Sequence, residues 1–304
     1  MSDEISFDRS FDAVPGQVER VAPGVRRLLA PNPGPFTFTG TCTYVIGEGA
    51  VAILDPGPDL PVHITAVLDA LRGETVAHIL VTHTHKDHST AAAAMREKTG
   101  VKVYAEGPHR AARSLHIGET NPVEAGADRD FIPDVRLRDG EIVEGPGYAL
   151  EAVATPGHTA NHFAYALRGT NCLFSGDHVM AWSTTIVAPP DGAMGDYMVS
   201  LKKLRARPET LYLPGHGPPV REAPTFIERL IAHRGGREAA ILRRLELGEA
   251  DIPELVQTIY AGLDRRLIGA AALTTLAHLE DLVDRGKVAT ESPPSLSGRY
   301  RLPR

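Results

Sequence analysis

The chain has 304 residues, 42% of them hydrophobic and 23% charged, enough to bury one substantial core and a smaller second one. Its net charge of -6 and pI near 6.1 argue against a protein that holds nucleic acid by bulk electrostatics, leaving room only for a local basic patch. Two cysteines, Cys42 and Cys172, are too few for a disulfide framework; no apolar run reaches the roughly 18 residues a membrane span needs, and the polar, acidic amino terminus lacks a signal-peptide pattern, so the cytoplasm is the expected compartment.

Residues 1–22 carry little periodicity and are expected to form an extended arm, with regular structure starting near Val25 in the run VRRLLA. The proline-rich segment Pro31 to Pro35 is a stiff loop. Thr41 to Ile46 and Val51 to Leu54 form a hairpin around Gly47-Glu48-Gly49-Ala50. Asp55 ends the second strand; capping the turn and orienting a neighbouring metal-binding loop are equally good readings. Pro61 to Leu71 has the apolar spacing of an amphipathic helix and closes on Arg72-Gly73.

The chemistry concentrates next. An apolar strand at His78 to Val81 leads into Thr82-His83-Thr84-His85-Lys86-Asp87-His88, and an Ala-rich helix follows over Ser89 to Lys98. Open α/β sheets bind ligands in such strand-to-helix loops. Three imidazoles and a carboxylate within six residues would make a poor core, because each polar group needs a buried partner. A metal supplies that partner. His83 and His85 can converge on one ion and Asp87 and His88 face a second, two cations about 3.5–4 Å apart being the arrangement of two-metal hydrolases.

Val101 to Ala105 continues a βα pattern, and residues 106–140 read as an inserted loop beside the site, with His109 and His116 as candidate substrate contacts. Pro156-Gly157 then turns the chain to present His158 at a strand's end. Asp177 follows nineteen residues later in Leu173 to His178, and His216 in Leu211 to Gly217, both in the same strand-then-glycine design. His162 and His178 stand beside these ligands and are candidates to donate a proton or to hold a substrate oxygen, a supporting hydrogen bond being the plainer reading of each.

Together His83, His85, Asp87, His88, His158, Asp177 and His216 resemble the ligand pattern of the metallo-β-lactamase superfamily, in its two-metal hydrolase branch. The resemblance spans about residues 23–220. It implies a four-layer αβ/βα sandwich, with His83, His85 and His158 on one metal, Asp87, His88 and His216 on the other, and Asp177 bridging both. The bridging Asp177 argues against true β-lactam hydrolysis, because the antibiotic-hydrolysing classes lack it.

Three further stretches narrow the resemblance: Asn32 to Pro35 with Gly40 to Tyr44, Thr184 to Gly192, and Ile231 to Glu238 with Ile241-Leu242. They look like the β-lactamase-like protein 2 family, whose animal member resembles a single-strand-specific endoribonuclease and whose bacterial members are mostly described as hydrolases. Cys42 departs from that pattern, which usually has Asn there, and leaves open any substrate contact through that position.

Helical patterns over Thr225 to Leu247, Ile252 to Tyr260 and Leu267 to Asp284, followed by Gly286-Lys287-Val288, resemble the small winged-helix-like module that closes this family's chains, here 221–289. It is expected to cap the active site or form a dimer contact. Arg234, Arg237, Arg243 and Arg244 read best as a solvated face paired with Glu238 and Glu246. The tail 290–304 is expected to be partly disordered.

The expected function is metal-dependent hydrolysis of an ester, thioester or lactone by a hydroxide bridging two divalent cations, with Asp87 orienting the nucleophile. Zinc suits the donor set, and iron and manganese tolerate it. The alternative is cleavage of single-stranded RNA. A metal-stabilised, non-catalytic binding protein is a third possibility, which a complete ligand set argues against.

Overall fold

Strand β10 (Phe163–Leu167) has every residue buried, which requires cover on both faces, and the architecture follows from that requirement. In the computed structural model, which describes residues 5–117, 119–121, 124–260 and 262–304, two sheets pack face to face. The first contains β1 (Val18–Ala22), β2 (Val25–Leu29), β3 (Cys42–Glu48), β4 (Ala50–Leu54), β5 (Thr75–Leu80), β6 (Val103–Ala105) and β7 (Val135–Arg136), ordered as in the sequence. The second is ordered β12-β11-β10-β9-β8, from β8 (Ile142–Gly145), β9 (Tyr148–Ala154), β10, β11 (Cys172–Gly176) and β12 (Leu211–Pro214).

Between the sheets lies an apolar layer that includes Leu29, Tyr44, Leu54 and Leu80 from one side and Leu150, Tyr165, Phe174 and Leu213 from the other. Helices α1 (Pro61–Ala70) and α3 (Ala91–Thr99) cover the first sheet through Ile64, Val67 and Met95. Helices α4 (Met194–Arg205) and α5 (Ala223–Glu246) cover the second through Tyr197, Leu201, Leu204, Ile227 and Leu230. The result is the four-layer αβ/βα sandwich. Strand pairs β4–β5 and β11–β12 are parallel, so α1 and α4 serve as their crossovers.

Three helices, α5, α6 (Ile252–Ile259) and α7 (Ile268–Asp284), form the carboxyl-terminal module around a separate core of Ile241, Leu245, Leu255, Leu276, Leu279 and Leu282. Asp251 and Glu254 close a reciprocal capping box at the start of α6, satisfying two otherwise unpaired backbone donors. No helix among the described residues is long and apolar enough to cross a membrane.

Three expectations need correction. The arm is only partly an arm: β1 pairs antiparallel with β2, Val18 facing Leu28, and Ile5 is buried in the outer core of the second sheet. The tail is ordered, since β14 (Arg299–Tyr300) pairs with β13 (Ala250–Asp251) and Tyr300 is fully buried. Third, Arg234 and Arg237 of α5 do not belong to a solvated face, although Arg243 is exposed. Arg234 is 2% exposed and donates through Nη2 to the Thr185 carbonyl, Arg237 donates to the Ile259 carbonyl and lies over the Tyr260 ring, and Glu238 pairs with Arg285 and Lys287 instead.

Candidate metal centre

The carboxyl ends of β5, β9, β11 and β12 deliver the ligand-type residues to one edge of the sandwich. His83 and His85 lie in the loop after β5, while Asp87 and His88 occupy the short helix α2 (Lys86–Ser89) that follows. The loop between β9 and β10 brings His158, the end of β11 brings Asp177, and the turn after β12 brings His216. His83, His85, His158 and Asp177 place one donor atom each within 4.8 Å of the others, as do Asp87, His88 and His216. Asp177 faces both groups: its Oδ2 is 3.6 Å from His158 Nε2 and 3.3 Å from His216 Nε2, and its Oδ1 is 3.4 Å from His88 Nε2.

Hydrogen bonding on the far side of each ring shows which atoms are left to face a cation. Thr82 Oγ1 donates to Asp55 Oδ2 at 2.8 Å, so at 3.0 Å it accepts from His83 Nδ1–H. His158 Nδ1–H donates to the Ile186 carbonyl at 2.7 Å. Both rings therefore turn a lone pair at Nε2 toward His85 Nδ1, each at 3.0 Å. One nitrogen cannot donate to two acceptors through one hydrogen. Around an ion with metal–nitrogen bonds of about 2.0–2.1 Å, tetrahedral ligands stand about 3.3 Å apart, near the spacing seen.

The second group repeats the pattern. His88 Nδ1–H donates to Asp55 Oδ2 at 2.8 Å and His216 Nδ1–H to the Gly40 carbonyl at 3.1 Å. Their Nε2 atoms then meet at 3.4 Å, facing Asp87 and Asp177. Asp177 Oδ1 is buried and has no hydrogen-bond partner among the described residues. A Cβ on Gly215 would lie 2.5 Å from Asp177 Oδ1 and from His88 Cε1, so glycine is what allows these donors to close in. The residues fit divalent cations.

Titration follows the same geometry. Burial and the neighbouring histidines press His83 well below the usual imidazole value, and burial with His158 beside it brings His85 down to about 3. Burial also opposes charge on His216, yet Asp177 and Asp87 raise it to about 10. Protons on the second group balance the carboxylates; a cation binding there would take their place and release them.

The remaining candidates fall outside the ligand cluster. His162 Nε2 accepts the Asp177 backbone N–H at 3.2 Å, so its Nδ1–H donates to Thr155 Oγ1 at 2.8 Å. With both nitrogens engaged and 1% of the residue exposed, it positions Asp177 and has nothing left to donate to a substrate. His178 is fully buried against Tyr197 of α4, ring centroids 4.5 Å apart, with neither nitrogen hydrogen-bonded. His109 has a side chain only 4% exposed, packed between loops, and His116 offers its backbone N–H to Glu119. Sequence reasoning missed Thr41, which donates to Asp87 Oδ2 at 2.9 Å while Asn32 Nδ2 donates to Thr41. The Asn32 and Gly40–Thr41 stretches were visible in the chain, but their meeting at Asp87 was not.

A sequence profile of the metallo-beta-lactamase superfamily matches residues 36–216. The chain belongs to this superfamily. The profile of the beta-lactamase associated winged helix domain matches residues 252–293, so the superfamily core carries the winged-helix module its helices suggested. Among relatives, the beta-lactamase-like protein 2 homolog of Caenorhabditis elegans is 32% identical over 253 residues, covering 80% of this chain and 79% of the worm protein. The lactamase-like protein adaB of Aspergillus niger is 28% identical over 299 residues, 92% of this chain and 86% of the fungal one. Two solved members share the fold across nearly the whole chain. A beta-lactamase domain protein from Burkholderia ambifaria is 26% identical at a TM-score of 0.79, covering 96% of each chain. A metallo-beta-lactamase family protein from Thermus thermophilus is 27% identical at 0.74, covering 93% of this chain and all of the other.

Proposed function

We propose that this superfamily member is a hydrolase of a small ester, thioester or lactone that works with two divalent cations, zinc being the best match to the donors. The observation that carries the reading is the convergence of donor atoms on both sides of Asp177: three imidazole nitrogens about 3.0 Å apart around His85 on one side, and two imidazoles with the Asp87 carboxylate on the other. His83, His85 and His158 would hold one cation and Asp87, His88 and His216 the other, with Asp177 facing both sets of donors. When bound, such a pair acidifies a water and polarises the oxygen under attack.

The chain's own groups do the rest. Asp87 has a side chain 25% exposed, against 9% for Asp177 and 0–1% for His88 and His216, so it faces the incoming substrate. The hydrogen bond from Thr41 fixes its Oδ2, leaving Oδ1 to orient the attacking water and take its proton. His162 and Asp55 keep Asp177 and His88 aimed.

The substrate class rests on charge. Arg110, Arg113 and Arg129 on the loop beside the site each pair with a carboxylate, Glu106, Glu119 with Glu280, and Glu124 respectively. Paired arginines leave little for a phosphate backbone. An apolar cavity of about 730 Å³ lies in the carboxyl-terminal module, lined by residues such as Val256, Tyr260, Leu263 and Ile268 and by none of the ligand residues.

The test is an assay of the metal-loaded protein on ester, thioester and lactone panels and on single-stranded RNA, at two salt concentrations. Turnover of a small acyl substrate with little salt dependence is expected. RNA cleavage that falls steeply with salt would assign the phosphodiester reaction instead, and a protein that binds no metal would remove the hydrolase reading.

A further inference from the structure

Thr84 stands between two ligand-type histidines, yet its own side chain turns away from the cluster. Its Oγ1 accepts from Asn161 Nδ2 at 2.9 Å and lies 2.9 Å from His109 Nδ1. The hydroxyl hydrogen has two acceptors in reach, Asn161 Oδ1 at 3.3 Å and His109 Nδ1 at 2.9 Å, and the nearer one is the histidine. That fixes the hydrogen of His109 on Nε2, which lies 3.3 Å from Asp191 Oδ2. Among the described residues neither atom has a hydrogen-bond partner, so the two face each other as a close polar contact inside the fold. Asp191 Oδ1 is occupied by Asn121 Nδ2 at 2.9 Å. Thr84, Asn161 and Asp191 are each 1–2% exposed, so the series Thr84–His109–Asp191 is sealed from solvent.

The series ties together four loops that share no secondary structure: the metal loop, the His158 loop through Asn161, the 106–121 segment, and the Thr184 to Gly192 stretch. The last two also meet directly, because the Ala112 N–H donates to the Pro190 carbonyl at 2.8 Å. Buried carboxylate–imidazole–hydroxyl series of this kind hold a group in one orientation, and loss of such supporting partners weakens metal sites.

We propose that His109 and Asp191 are positioning residues that set the spacing of His83 and His85 through Thr84. The inference rests on the reading of the histidine–aspartate cluster as a metal centre. Asp191 Oδ2, 3.3 Å from His109 Nε2, sets the charge on that side of the ring, His109 meets the Thr84 hydroxyl, and Thr84 fixes the backbone between the two ligands. Neither residue touches substrate or metal.

Cobalt(II) loading tests this, because its visible bands report ligand geometry independently of turnover. Thr84→Val and His109→Phe should shift the bands and weaken cobalt binding in chelator competition by about 10–100-fold, while Thr84→Ser, which keeps the hydroxyl, should stay near wild type. The double variant should be no weaker than the weaker single one, since both break the same series. Variants that keep wild-type bands and affinity while melting earlier would overturn the inference, as would effects that multiply in the double variant. Wild-type protein that takes up no cobalt would instead overturn the metal-centre reading beneath it.

Discussion

Asp55 holds the metal loop with both of its oxygens: Oδ1 accepts the Thr82 N–H at 2.7 Å, and Oδ2 accepts from Thr82 Oγ1 and His88 Nδ1, each at 2.8 Å. Its backbone sits at φ 49°, an uncommon conformation that aspartate tolerates better than most residues. The sequence left turn-capping and metal-loop support equally open, because the partners lie 27 and 33 residues away. Asp55→Asn keeps the shape but removes the charge that draws in the His88 N–H, so metal affinity should fall about 10–100-fold in chelator competition. His63 makes a separate prediction. Burial lowers it to about 4 from the ordinary 6.5, and its Nε2 lies 2.9 Å from Thr43 Oγ1. The fold keeps this ring neutral while the unfolded chain takes up a proton below about pH 6.5, so its contribution is intact above that pH and is lost as the pH falls toward 4. The loss approaches about 3 kcal/mol. Urea unfolding of metal-free His63→Gln should therefore show a shallower decline than wild type between about pH 7 and 4.5; parallel curves would remove His63 as the cause.

At the scale of elements, what the sequence shows and what it hides follow from range. Helices α1, α3, α5, α6 and α7 were legible because their signals are local: apolar spacing, an alanine-rich run, a closing glycine. The metal loops were legible for the same reason, each being a few residues at the end of an apolar strand. Strands β1 and β14 were not, because a strand of two to five residues is specified by its partner, and β14 finds β13 some fifty positions earlier in the chain. The arginines of α5 misled for a related reason: a helical charge stripe looks the same whether water or a second domain covers it, and Thr185, which Arg234 reaches, is 49 residues away. Tyr300 gives the tail a physical role. Its ring lies in the module core, its hydroxyl donates to the Ser295 carbonyl at 2.7 Å and accepts the Ser295 N–H at 2.9 Å. Tyr300→Ala should cost about 3 kcal/mol or more of module stability, seen as earlier unfolding and as new protease cleavage after residue 290. A disordered tail would leave both unchanged.

For the molecule as a whole, the candidate metal centre is where the two sheets of the sandwich meet. Four strands from two sheets end there, and Arg113 extends the connection outward, joining Glu119 of the inserted loop to Glu280 of α7. A cation bound by ligands from both sheets ties those sheets together in the folded state and has no comparable site in the unfolded chain. Binding therefore adds stability in proportion to the logarithm of free metal over Kd, about 4 kcal/mol at a thousandfold excess. For a chain of this size that corresponds to a rise in Tm of roughly 6 °C. Calorimetry of the chelator-treated protein, repeated after zinc is restored, should show that rise and its reversal. Asp177→Ala should lose most of it, because that carboxylate faces both groups of donors. The same Tm with and without metal would mean that the donors converge without binding, and the hydrolase reading would fall with it.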